Sequence, residues 1–177
     1  MSLQLLGSRT SRWCAAGFLA VGLAACNSGA TGPVRSPTAD RAFIDSLSVL
    51  HGTALLSIAD LQAKGTHPEL KAWALTLKDE LNSELEQAVK IRTATLGSGK
   101  TPVPPAPVVI ASGANYDLEW MRAMIAHEQA VLVLTQQSRK TPLQLELFTM
   151  AHVIGDEQVG HQNRLRGYAQ QWYGVTL

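Results

Sequence analysis

Four stretches of the sequence place proton- or metal-binding side chains where a helix would ordinarily carry Leu or Ala. His127 and Glu128 lie inside WMRAMIAHEQAVLVL, residues 120–134, which is otherwise mostly apolar. His51 lies in the similar run SVLHGTALLSI. Glu157 and His161 are four residues apart, as are Glu80 and Glu84. On an α-helix that spacing puts two side chains one turn apart on one face. Imidazole and carboxylate so placed can share a proton or hold a cation. Imidazole suits Cu, Zn, Ni or Fe, and carboxylates shift the preference toward harder ions. No Ser-His-Asp set, phosphate-binding Gly loop or thiol nucleophile accompanies them. No residue is assigned a catalytic role, and the balance is against an enzyme.

The elements that must carry these residues are helical. One segment runs from about Asp40 to Ala63 and stops at Gly65. THPE opens a second, with Thr66 as cap, Pro68 in the first turn and Glu69 completing a capping box; it ends near Gly97. A third runs from about Asn115 to Arg139. TPLQ repeats the cap logic with Thr141, Pro142 and Gln144, and a fourth helix follows to about Trp172. Residues 98–114 hold four prolines and cannot be helix. Short links within pairs and one long link between them imply an all-α, ferritin-like four-helix bundle of two helical hairpins joined by a Pro-rich crossover. The hairpins resemble each other: His51 aligns with His127 at an offset of 76, and Glu80 and Glu84 with Glu157 and His161 at 77.

Helical spacing puts each polar residue on an apolar stripe. Trp120, Met124, His127 and Val131 share one, and Ile44, Ser48, His51 and Ile58 another. Met150, Ile154, Glu157, His161 and Leu165 form a third, and Leu77, Leu81, Glu84 and Ala88 the fourth. A buried charge costs several kcal/mol unless it is paired or bound to metal. The candidate ligands are therefore His51, Glu84, His127, Glu157 and His161, with Glu80 and Glu128 in support. The plainer reading, imidazoles hydrogen-bonded to carboxylates in a core, stays open. His67 and His152 read as structural or solvated. The spacing is not the Glu-x-x-His of di-iron bundles.

The ends set the compartment. Arg9 and Arg12, a short apolar run and LAAC at Leu23–Cys26 form an export signal of the lipoprotein kind, expected over 1–25 with Cys26 as the lipidated residue. Residues 26–38 read as a flexible tether and 39–174 as the bundle: 39–97, crossover 98–114, then 115–174. Loss of Arg9 and Arg12 leaves 13 basic against 14 acidic side chains, which favours neither nucleic acid nor an anionic surface. The only other cysteine, Cys14, leaves with the signal, so the mature core has no disulfide. The expected location is the cell envelope, held to a membrane through Cys26. Protein partners and self-association are left open.

YDLEWMRAMIAHEQAV, HPELKAWALTLKDELNSEL and LRGYAQQWYG resemble the domain of unknown function 305 family, a ferritin-like group of exported bacterial proteins; DRAFIDSLSVLHGTALLSIA resembles it more faintly. The resemblance covers residues 40–174 as two family-like units and implies metal handling, copper included. The family pattern has a His-His pair, a Met seven residues after the first His, and a Gln and Glu in the next helix. His51 and His127 match the first His, while Gly52 and Glu128 replace the second. Ile58 and Leu134 hold the Met places. Gln158 is kept with Leu81 opposite, so the resemblance adds Gln158 to the supporting residues; Glu84 matches the Glu, and His161 replaces it in the second unit. The resemblance thus implies a site without its soft ligands. The functional expectation is an envelope protein binding a transition metal for storage, buffering or delivery. The alternative is a non-catalytic interaction module with a degenerate site.

Overall fold

A computed structural model describes residues 36–103, 106, 110 and 115–177. The expected signal at 1–25, Cys26 and most of the tether lie outside the described residues. Among the described residues there are four helices: α1 (Pro37–Lys64), α2 (Pro68–Leu96), α3 (Tyr116–Ser138) and α4 (Leu145–Tyr173). Proline opens α1 and α2, where its missing N–H costs nothing. The Ser36 hydroxyl accepts the Ala39 amide at 3.3 Å, so α1 starts inside the stretch expected as tether. Gly97 and Gly174 end α2 and α4 in the left-handed conformation, at φ 69° and 65°.

Two expected caps are replaced. His67, not Thr66, is the N-cap of α2, and its side chain makes no capping bond. The carboxylate of Asp117, in the first turn of α3, accepts the amides of Thr66 and His67 at 2.8–3.1 Å. Thr141 and Pro142 precede α4, which is N-capped at Gln144. Here Asp40, in the first turn of α1, accepts the Gln144 amide at 3.0 Å. Each hairpin's first turn thus holds the start of the other hairpin's second helix, and a carboxylate there also suits the positive helix end. Asp40 and Asp117 lie 77 residues apart, as do His67 and Gln144.

These contacts set the topology. The Trp120 indole N–H donates to the Ser57 carbonyl at 2.9 Å, placing the start of α3 against the end of α1. Arg92 near the end of α2 pairs with Asp45 near the start of α1. The four helices form a ring, α2–α1–α3–α4, with antiparallel neighbours, and α2 packs on α4 only sparsely. α2 ends at the opposite end from where α3 begins. The two helix ends on either side of residues 98–114 are therefore a bundle's length apart, about 40 Å for a helix of this size. The described residues between them adopt neither helix nor strand, and Ile110 packs at the α3 end. Gly65 turns the chain there: a Cβ would meet the Leu61 carbonyl at 2.7 Å and Asp117 Oδ1 at 3.1 Å.

The core is two apolar clusters. One, at the α3 start, contains Ile58, Leu61, Leu77, Leu81, Trp120, Met121 and Leu165. The other, at the α1 start, contains Phe43, Ile44, Leu47, Ala88, Val131, Leu147 and Ile154. All four helices pass from one cluster to the other at their polar residues. His51 stands between Leu47 and Ala54, Glu84 between Leu81 and Ala88, and His127 between Met124 and Val131; Gln158 and His161 stand between Ile154 and Leu165. Tyr168, Trp172 and His67 stack at 4.5 and 4.2 Å and close one end.

Candidate metal centre

The layer between the clusters holds His51, Glu84, His127, Glu128 and His161, with Glu80 and Glu157 at its α2–α4 side. His51 Nε2 approaches Glu84 Oε2 to 2.5 Å, and the His51 and His127 rings lie 6.3 Å apart, centre to centre. His161 reaches Glu80 through Nε2 at 3.2 Å and faces Glu128 through Nδ1 at 3.6 Å. Glu84 and Glu157 share a hydrogen bond across the α2–α4 side. The pairing is approximately two-fold, since Glu80 reaches His161 as Glu157 reaches the equivalent Glu84.

Two residues stand elsewhere than their stripes implied. Glu157 is exposed on the α2–α4 side, and Gln158 is buried in its place, its amide donating to the Ile154 carbonyl at 2.9 Å. Glu128, expected beside the stripe, is 1% exposed, while His127 is half-buried. The cause is rotational. Neighbouring residues differ by about 100° around a 3.6-residue helix, so a small roll exchanges a stripe residue for the next one. Asp40, Asp117 and Trp73, whose ring meets His161 at 5.9 Å, were missed altogether. Acidic residues in first helical turns were the available signal for the two aspartates.

Burial sets the charge states. It pushes His51 down to about 4 against the attraction of Glu128. It does the same to His127, opposed by Glu128 and assisted by His51 and His161. Both imidazoles are neutral at pH 7 and keep a lone pair. Burial raises Glu84 to about 7, against its hydrogen bond with Glu157 and the His161 charge. Burial also raises Glu157, with Glu84 adding to the effect. His161 is opposed by burial, yet the carboxylates of Glu128, Glu80 and Glu157 raise it overall.

The layer is close-set but poorly hydrogen-bonded. His51 Nδ1 and Nε2, His127 Nε2, His161 Nδ1, Glu80 Oε2, Glu84 Oε2 and Glu128 Oε1 are all buried without a hydrogen-bond partner. Several approach one another closely but off the angle a hydrogen bond needs. Each such group costs about 1–3 kcal/mol. Among the described residues no three His, Cys, Asp or Glu side chains already stand as a metal site. An ion would therefore have to draw them in by rotamer changes.

Fold and site together define a class: two-hairpin helical bundles with imidazoles and carboxylates enclosed at mid-height. Solved structures share this fold. CopM in the apo form superposes with a TM-score of 0.67 at 23% identity, covering 76% of this chain and 98% of that one. CopM in the Cu(I)-bound form gives 0.66 at 22%, with 76% and 98% covered. A DUF305 fragment from Deinococcus radiodurans gives 0.61 at 18%, with 78% and 99% covered. The fold is therefore the DUF305 type. No family model and no curated protein matches the sequence.

Proposed function

We propose that this chain is an envelope protein, anchored through Cys26, whose mid-bundle layer binds a divalent transition metal for storage, buffering or delivery. One observation carries the reading: imidazoles and carboxylates from four helices are enclosed in a single layer, where seven of their buried nitrogen and oxygen atoms fall outside hydrogen-bond geometry. A cation can engage them together. His51 and His127 already have the neutral form that ligates. Glu84 and His161 complete the donor set, with Glu128 and Glu157 beside them. CopM has been solved with Cu(I), Cu(II) and Ag bound, which supports metal handling in this architecture. Ile58 and Leu134 hold the positions where the family pattern has Met, and Met124, one turn from His127, packs in the apolar cluster. The layer's imidazole and carboxylate donors suit Cu(II), Zn(II), Ni(II) or Fe(II) better than Cu(I) or Ag(I).

Two measurements test this. Protein grown in trace-metal-controlled medium is expected to retain one of these ions by elemental analysis and to rebind it with submicromolar affinity by calorimetry. The double variant His127→Ala, His161→Ala should lose at least a hundredfold while keeping its helical circular dichroism. If no divalent ion binds more tightly than micromolar, the metal reading is abandoned. For the anchor, Cys26→Ala should move the protein from the membrane to the soluble fraction. Unchanged membrane retention would count against lipidation.

A further inference from the structure

A groove of about 860 Å³ lies between α2 and α4. Its walls run from Thr76 to Ile91 and from Leu145 to Glu157, about 20 Å at 1.5 Å per residue. Met150 and Ile154 form an apolar floor, and Leu145 and Val153 stand 77% and 53% exposed at the rim. Asp79 and Glu146 stand on the two walls as exposed carboxylates, and Lys90 is the one cation of the lining; Glu80, Glu84 and Glu157 also line the groove, Glu80 paired with His161 and the other two hydrogen-bonded to each other. Apolar floor and rim inside an acidic frame make a surface with a definite complement.

We propose that this groove docks a basic amphipathic α-helix of a partner protein. A helix of about 13 residues fills 20 Å. Its apolar residues, recurring at i, i+3, i+4 and i+7, would lie on Met150, Val153 and Leu145. Lys or Arg on its flanks would meet Asp79 on one wall and Glu146 on the other. Such charge complementarity guides encounter and excludes acidic partners. A second copy of this chain docked by the same groove would set the acidic frame against itself. The chain's own crossover has one cation, Lys100, and four prolines, so it cannot supply a basic helix. The proposal does not depend on the metal reading. Glu80, Glu84 and Glu157 belong to both groove and polar layer, so a docked helix would also close the layer to water.

The test uses chelator-treated protein and a fluorescent helical peptide of about 14 residues with Leu on one face and Lys on the other. Anisotropy should report low-micromolar binding. A Leu/Glu peptide, and a Leu/Lys peptide scrambled to destroy its apolar face, should bind at least tenfold more weakly. Leu145→Asn with Val153→Asn, and Asp79→Lys with Glu146→Lys, should each weaken binding at least tenfold. All four residues are exposed, so the variants fold, which melting curves verify. The proposal is overturned by absent saturation at about 100 μM, the weak end for such contacts. Equal binding of the Leu/Glu peptide, or no effect of either groove variant, also overturns it. So does a wild-type dimer that the groove variants dissociate, which would give the groove to a second copy.

Discussion

Asp117→Ala will lower the stability of the bundle by about 3–5 kcal/mol, as expected for a buried charge network that loses one member. Asp117 is 1% exposed and joins three segments. Besides the amides of Thr66 and His67, it accepts the Thr66 hydroxyl at 2.8 Å and contacts His67 Nδ1 at 2.6 Å. Alanine removes the common acceptor of donors on Thr66 and His67, frees the start of α2 and loosens the His67–Trp172 stack. At about 3 °C per kcal/mol for a domain of this size, the melting temperature should fall by about 10 °C or more. Glu119→Ala, two residues on and exposed, should change stability by no more than about 0.5 kcal/mol. The effect should depend on acid. Burial opposes ionisation of Asp117, but the hydrogen bonds from His67 and Thr66 outweigh it and lower its pKa from 3.8. Its contribution is therefore complete above that value and is lost as pH falls through the lowered one. The gap between wild type and Asp117→Asn should close at strongly acidic pH. A loss below about 1 kcal/mol for Asp117→Ala at pH 7 would show that the carboxylate does not hold the hairpins together.

Metal affinity should fall at least about tenfold between pH 8 and pH 6, because the ion must displace protons. Glu84 titrates near 7. It is mostly ionised at pH 8 and mostly protonated at pH 6, and its proton alone accounts for about tenfold. The raised His161 adds to the dependence in the same direction. His51 and His127, pushed down to about 4, remain neutral throughout and contribute nothing to it. Glu84→Gln should bind more weakly at pH 8 and show a shallower pH dependence. Its stability should be kept, since burial disfavours the charge that the substitution removes. Calorimetry in buffers of different ionisation enthalpy counts the protons released. Affinity independent of pH from 6 to 8 would exclude Glu84 and His161 as ligands.

The helices and their pairing were legible in the sequence because their signals are local. Pro68 at a first position, Gly97 at an end and prolines across 98–114 each act within a few residues. The same holds for the polar residues on apolar stripes, which a 3.6-residue period places on one face without knowledge of the partner. Glu128 and Glu157 were harder. Spacing gives the face only to within about one residue, or 100°, and the burial of Glu128 depends on how far α3 rolls against α1 and α4.

By itself, the sequence determined that there are four helices in two similar hairpins, where the crossover lies, and that imidazoles and carboxylates recur at matching heights. The tertiary structure decided what each of them meets. Asp117 and Asp40 hold helix starts on the opposite hairpin, 50 and 104 residues away in the chain, and no local motif encodes such a partner. The polar residues divide the core into two apolar clusters, and α2 and α4 part to leave an acidic groove. Both follow from how whole helix faces pack, where the helices' roll, separation and crossing are set by all their side chains together.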